Sequence, residues 1–290
     1  MNDILLIIIL TLAIAIGFFL GKRYSPKKNN QFHKVFDDPK YFQGLNYLLN
    51  EQPDKAVDAF VESLEVNQIT LETHLALGNL MRKQGQVDRA IRIHQNLLAR
   101  PLLDLTHQHQ VHLELGKDFM AAGLLDRAEM LLKEVIKESP SLRNTAQRYL
   151  LDIYQDERDW EKAIEIGKSL LGGKFFKDSI QKKHSMNQMI AHFYCELAEE
   201  SINKNKKSAA KKFLLDAQSI DKFSIRASLL IANLNNGESN YKQSIKILNK
   251  TIKDNPAFII ETLPILCKAY DGLYGHQGFD KFLKITESQI

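Results

Sequence analysis

Three histidines within six residues, His107, His109 and His112, are the first place to look for chemistry in this chain of 290 residues. Imidazoles at i and i+3 on a helix share a face and can hold a divalent metal. His74 and His112, however, fall at matching positions of an internal repeat where a bulky side chain packs between helices, so they read as core or interface histidines. Ser208-Ala-Ala-Lys211 has the Ser-x-x-Lys spacing of some acyl-transfer nucleophiles, but it stands mid-helix among lysines without partner motifs. Gly272, Gly275 and Gly278 are spaced like a phosphate-cradling loop, yet no strand precedes them, and they read as breaks in the last hairpin. There is no Walker loop, no His-Glu-x-x-His and no Gly-x-Ser-x-Gly. Cys195 and Cys267 stand far apart on predicted helices, which suits buried thiols in a reducing compartment. They do not make the four close ligands of a structural metal site. Chemistry in these residues is thin, and no metal or cofactor is expected; an enzyme whose site such motifs do not reveal stays open as a rival reading.

The elements that carry them come from one pattern. In Leu71 to Leu98, the residues Leu71, Leu75, Leu77, Leu80 and Met81 recur at helical spacing; Gln84-Gly85-Gln86 then breaks the run, and a second amphipathic run starts at Val87. Gly78 and Ala90 are small where the two helices must approach. The same twelve-residue spacing returns as Gly44/Ala56 and Gly116/Ala128, then in worn form as Leu151/Ala163, Leu197/Ala209 and Ala232/Ser244. This is a tetratricopeptide pattern. Repeat starts fall near residues 37, 71, 109, 144, 190 and 225, with a partial seventh from about 259, and Pro140 and Pro256 stand where repeats end. Gly172 to Ser185 reads as a long inter-repeat loop, Arg100 to Gln108 as a shorter one, and Trp160 as packing at the start of a second helix. The fold class is all-α: a solenoid of about six to seven helical hairpins spanning 37–290, behind one N-terminal transmembrane helix. One hairpin cannot bury its apolar faces alone, so the stack is obligatory.

That transmembrane helix lies in 1–21. Ile4 to Leu20 is an uninterrupted apolar run, and at about 1.5 Å per residue it reaches roughly 26 Å, against a bilayer core of about 30 Å. A cleaved signal peptide would place positive charge before the run and a small-x-small site after it. Here Asp3 precedes the run and Lys22, Arg23, Lys27 and Lys28 follow it. The basic flank stays inside, so the repeats face the cytoplasm. Residues 22–36 form a basic juxtamembrane linker with an attraction for anionic headgroups. The net charge of +4 is modest for this length and gives no nucleic-acid signal. Lys204, Lys206, Lys207, Lys211 and Lys212 read as a solvated helix face, with an acidic partner or lipid surface as the second reading.

A stacked array offers its first helices as a concave surface for a partner protein. Residues three or four apart share that face, which selects Leu75, Asn79, Arg82 and Lys83 in the second repeat, Leu113, Lys117 and Met120 in the third, and Arg148, Asp152 and Gln155 in the fourth. Tyr41, Leu45 and Leu48 make the first repeat more apolar. The expected partner-binding residues are Asn79, Arg82, Lys83, Lys117, Arg148 and Asp152. Reversing charge at Arg82 and Lys117 is expected to weaken binding while the fold survives, and Gly78 is expected to touch Ala90.

A family resemblance runs through Gly21-Lys22-Arg23, Gly44-Leu45-Asn46-Tyr47-Leu48-Leu49 and Asp54-Lys55-Ala56-Val57-Asp58. It continues in His74-Leu75-Ala76-Leu77-Gly78-Asn79-Leu80, Val87-Asp88-Arg89-Ala90-Ile91-Arg92-Ile93-His94-Gln95 and Met120-Ala121-Ala122-Gly123-Leu124. Asp126-Arg127-Ala128-Glu129, Ala191-His192-Phe193-Tyr194-Cys195-Glu196-Leu197-Ala198 and Glu261-Thr262-Leu263 complete it. The chain resembles the LapB (lipopolysaccharide assembly protein B) family of Gram-negative inner membranes. The resemblance implies a non-enzymatic adaptor that presents the lipid A deacetylase LpxC to the membrane protease FtsH, alongside other lipopolysaccharide assembly proteins. The alternative is a scaffold that gathers lipopolysaccharide enzymes without a role in proteolysis. Family members also carry a C-terminal rubredoxin-like module with two Cys-x-x-Cys pairs. No Cys-x-x-Cys occurs in these 290 residues, so the expectation is a truncated product or a lineage without the module, and the module's functions are not carried over.

Overall fold

A computed structural model of the chain describes residues 39–50, 52, 55, 58–59, 68–99, 103–172, 180–275 and 280. The expected anchor (1–21) and linker (22–36) lie outside these residues. Among the described residues no helix is long and apolar enough to cross a membrane.

Twelve α-helices are described. α1 (Pro39–Leu49) belongs to the first repeat, followed by five hairpins: α2 (Gln68–Lys83) with α3 (Val87–Leu98), α4 (Leu105–Ala121) with α5 (Leu125–Glu138), and α6 (Arg143–Asp156) with α7 (Trp160–Gly172). α8 (Ile180–Asn203) then pairs with α9 (Lys207–Ile220), and α10 (Ile225–Gly237) with α11 (Tyr241–Asp254). A 3-10 turn (Pro256–Phe258) leads into α12 (Ile259–Tyr274), the first helix of the seventh repeat. From α4 onward each first helix packs on the second helix before it, and α2, α4 and α6, like α8, α10 and α12, lie beside one another. This is the two-layer solenoid that the repeat spacing predicts.

The five hairpin turns are one structure repeated. Their central residues, Gly85, Gly123, Arg158, Asn205 and Ser239, all have positive φ, from 56° to 79°. The next N–H reaches back five residues in each case, Gln86 to the carbonyl of Met81 at 2.9 Å and Leu124 to that of Phe119 at 2.8 Å. That bond closes a Schellman turn, which satisfies the last carbonyls of the first helix. Five residues beyond each turn centre stand Ala90, Ala128, Ala163, Ala210 and Ser244, every one fully buried.

This alignment corrects the fifth repeat by one residue. Ala198 and Ala210, both fully buried, occupy the small positions assigned to Leu197 and Ala209. The slip was invisible in sequence because both pairs are twelve residues apart and each is flanked by the other. α8 also begins at Ile180, inside the segment expected to be a loop and ten residues before the expected start near 190. Its first turn, Ile180-Gln181-Lys182-Lys183, has no apolar periodicity to announce a helix. Its hold on the body comes from buried Met186 and Ile190, which pack against Gly167 of α7. α4 likewise starts within the expected Arg100 to Gln108 loop, because Asp104 caps it by accepting from the His107 N–H at 2.9 Å.

In the second and third repeats, the residue four beyond the buried Ala faces the glycine of the first helix. Gly116 faces Leu132, whose Cδ2 would lie 3.3 Å from an added Cβ. In the fourth repeat the aligned residues are Leu151 and Gly167, and the space at Gly167 is filled from α8 by Ile190 and Met186. In the second repeat the occupant is His94: its Nε2, Cε1 and Cδ2 are the three nearest atoms to a Cβ on Gly78. The imidazole, rather than Ala90, fills that notch. A Cβ on Gly78 would lie 2.4 Å from Nε2 of a ring that is fully buried. Gly78→Ala should therefore destabilise the protein by about 1–3 kcal/mol as overpacking. Gly116→Ala should stay near neutral, because the gain of about 1 kcal/mol in helix propensity offsets a milder contact. Denaturant midpoints of the two variants check this, and the reverse order would show that His94 is not the wedge.

Candidate functional site

The expected partner residues lie on α2, α4 and α6, which stand side by side. The structure brings three of them together. Arg82 of α2 reaches across to α4: Nη1 donates to Asp118 Oδ1 at 2.6 Å and to the Glu114 carbonyl at 3.2 Å, and Nη2 donates to Glu114 Oε2 at 2.7 Å. Nη2 also donates to Asn79 Oδ1 at 2.6 Å, one turn earlier on α2. Lys117 donates to Glu114 Oε1 at 2.8 Å and lies over the Tyr149 ring of α6, 5.4 Å from its centroid. From α3, His94 Nδ1 meets Asp118 Oδ2 at 2.5 Å. Asp118 and His94 are fully buried, whereas the Arg82 side chain keeps 14% exposure.

Two cations and two carboxylates thus neutralise one another inside the stack. Burial works to raise the Glu114 pKa, but the hydrogen bonds from Lys117 and Arg82 outweigh it and hold the carboxyl below its ordinary value. Burial likewise opposes the charge on Arg82, yet the bonds to Glu114 and Asp118 keep the guanidinium protonated beyond its usual range. Arg82 and Lys117 are engaged in packing. The expectation that both could be reversed with the fold intact is corrected on that ground.

Lys83, at the last residue of α2, is exposed. Arg148 and Asp152 are exposed one turn apart on α6. The surrounding chain and Asp156 push the Asp152 carboxyl above its ordinary value against the pull of Arg148. The side chains of Tyr41, Leu45 and Leu48 lie outside the described residues.

A second arginine does the same work between α8 and α10. Arg226 Nη1 donates to Glu196 Oε1 at 2.6 Å, its Nη2 lies 2.9 Å from Glu199 Oε1, and His192 Nδ1 is 2.9 Å from Nη1. Sequence reasoning missed Glu114, Asp118, His94, Glu196, Glu199 and Arg226. One signal was present: His94 stands where the later repeats have Leu132, Gly167, Leu214 and Leu248, so a polar ring in an apolar series asks for a buried partner.

The other chemical candidates do not converge. His107 pairs with Asp104 at 2.6 Å, His109 with Glu138 at 3.2 Å, and His112 lies 3.7 Å from Glu134, each with a different carboxylate. Lys211 donates to Glu238 at 2.5 Å, away from any Ser208 chemistry. Gly272 lies inside α12 against the Tyr241 ring, and Gly275, at φ 66°, follows the helix. Burial pushes the Cys195 thiol up to about 11, which keeps it unreactive. Trp160 stacks on Phe193 with centroids 5.7 Å apart, a packing contact as expected.

A tetratricopeptide-repeat family model matches residues 73–108. Lipopolysaccharide assembly protein B of Escherichia coli strain K12 is 36% identical over 280 residues, spanning 97% of this chain and 69% of that protein. Its counterpart from Haemophilus influenzae (strain ATCC 51907) is 35% identical over 295 residues, spanning 99% and 71%. Among solved structures, a tetratricopeptide repeat protein from Parabacteroides merdae ATCC 43184 is 16% identical, covers 75% of this chain and 79% of its own, and superposes with a TM-score of 0.41.

Arg82→Glu sets a carboxylate against Glu114 and leaves Asp118 buried without its cation. It should cost about 3–5 kcal/mol, whereas Lys83→Glu should stay within about 0.5 kcal/mol. Because the folded pKa of Glu114 is lowered, its stabilisation is present above its ordinary value of 4.5 and is lost as pH falls through the lower folded value. Thermal melts of both variants and of the wild type between neutral and acid pH read the two effects. Equal melting temperatures for Arg82→Glu and wild type would contradict the internal role.

Proposed function

The chain belongs to the lipopolysaccharide assembly protein B family, and from that premise we propose that it serves lipopolysaccharide assembly as a membrane-tethered adaptor presenting an LpxC-type deacetylase to an FtsH-type protease. The observation that carries this reading is the match of 36% identity over 97% of the chain, supported by the residue runs from Gly21 to Leu263 on which the chain resembles that family. The adaptor is non-enzymatic: it supplies binding energy and leaves the bond chemistry to the protease. The apolar run 4–20 would hold it in the inner membrane with the repeats on the cytoplasmic side. Tethering adaptor and protease to one bilayer raises their effective concentration without any new contact.

In this reading the first helices present the client, with Asn79, Lys83, Arg148 and Asp152 as the polar side chains near the surface. Arg82 and Lys117 hold α2, α4 and α6 in place beneath them. Association with further lipopolysaccharide assembly proteins would use the same array, whose length allows more than one partner to dock.

The half-life of the deacetylase in cells tests the proposal. Deleting the protein should lengthen that half-life several-fold, the full chain should restore it, and a form lacking residues 1–21 should restore it poorly. An unchanged half-life, with lipopolysaccharide assembly nevertheless impaired, would overturn the adaptor reading in favour of a scaffold without a role in proteolysis.

A further inference from the structure

A cleft of about 610 Å³ opens between the fifth and sixth repeats, at the edge where second helices end and first helices begin. Gln188 of α8, Lys222 and Phe223 of the α9–α10 turn, Lys250 and Asp254 of α11, Asn255 and Phe258 line it. Phe223 is 71% exposed, one of several large apolar side chains that the stack leaves at its surface, and it is the one that borders this cleft. Its position is built: the Phe223 N–H donates to Asp221 Oδ1 at 3.1 Å, and the next residue, Ser224, caps α10 by accepting from the Ala227 N–H. The backbone on both sides of the ring is therefore fixed, and the ring is held outward.

Among the described residues some lysines are held by a carboxylate, and others, Lys207 and Lys212 as well as two at this cleft, are not. Lys117, Lys133, Lys162, Lys204 and Lys211 each pair with a carboxylate. Lys222 and Lys250 have no ion pair among the described residues, so their positive charge is available to a ligand. The lining also carries Gln188 and Asn255, whose amides both donate and accept, as a peptide backbone requires. A phosphate offers acceptors alone and would leave the amide carbonyls of Gln188 and Asn255 unpaired. The volume lies within the range of about 300–1,000 Å³ over which small-ligand sites fall, enough for a few residues of extended chain.

We propose that this cleft docks a short extended peptide in which acidic residues flank an aromatic or aliphatic anchor. The carboxylates pair with Lys222 and Lys250, the anchor packs on Phe223 and Phe258, and the backbone bonds to the amides of Gln188 and Asn255. The surface is separate from the α2–α4–α6 face and does not rest on which proteins the adaptor joins.

Fluorescence anisotropy with the full chain in detergent micelles tests it, using labelled Asp-Glu-Phe-Asp-Glu against Lys-Lys-Phe-Lys-Lys. The acidic peptide should bind saturably and lose affinity as salt rises. The pair Lys222→Glu with Lys250→Glu should weaken it at least tenfold, and Phe223→Ser alone should weaken it several-fold. A control pair on exposed residues outside the cleft, Lys207→Glu with Lys212→Glu, should bind as wild type. Circular dichroism should show all variants folded, since every substituted side chain is exposed. Equal binding of both peptides, equal loss in the control pair, or cleft-dependent binding of phosphatidylglycerol vesicles without peptide binding would each overturn the proposal.

Discussion

Asp118 is a carboxylate with no exposure to water, and the second and third repeats are arranged around it. An isolated buried charge costs several kcal/mol, so it persists only with partners of matched geometry. Those partners come from two other helices: Arg82 of α2 at 2.6 Å and His94 of α3 at 2.5 Å. The α2–α3 hairpin can therefore meet α4 in one register. Sliding it by a turn would strip Asp118 of both partners.

The apolar core adjusts to this polar insertion. From Leu113 to Leu234 one continuous cluster runs through the middle of the stack. In the second repeat it breaks into two smaller clusters, Leu71, Leu75, Leu97 and Val111 on one side and Met81, Ala90 and Ile93 on the other. Gly78 makes the room that the imidazole of His94 occupies between the helices. Elsewhere the same notch is filled by hydrocarbon, as Leu132 does against Gly116. Between α8 and α10 the polar device returns nearer the surface, where Arg226 holds Glu196 and Glu199. Hydrocarbon supplies most of the burial, and two arginine clusters specify how neighbouring first helices sit.

The sequence made the architecture legible because helix period, small-residue spacing and turn residues all repeat. Gly85 and Gly123 mark two turns openly, whereas Arg158, Asn205 and Ser239 adopt the same positive φ without a glycine to signal it. The fifth repeat slipped by one because Leu197-Ala198 and Ala209-Ala210 offer two equivalent pairs, and burial alone separates them. The start of α8 was hidden because its first turn is mostly polar. The candidate site was half legible. Periodicity selected Asn79, Arg82 and Lys117 on adjacent first helices, and hydrogen bonds through Arg82 and Glu114 join them, but which of them points inward depends on Asp118 and Glu114 of the third repeat. Such a contact spans 32 or 36 residues and follows no local rule.

For an adaptor the consequence is mechanical. Partners docking along several first helices need those helices at fixed spacing, and the buried charge cluster supplies that between α2 and α4. A double-mutant cycle on Arg82→Ala and Asp118→Ala, followed by denaturant unfolding, tests this most directly. The account predicts that each single change is strongly destabilising and that the double costs less than their sum by about 2 kcal/mol or more. Costs that add to within about 0.5 kcal/mol would contradict it, because independent residues behave that way.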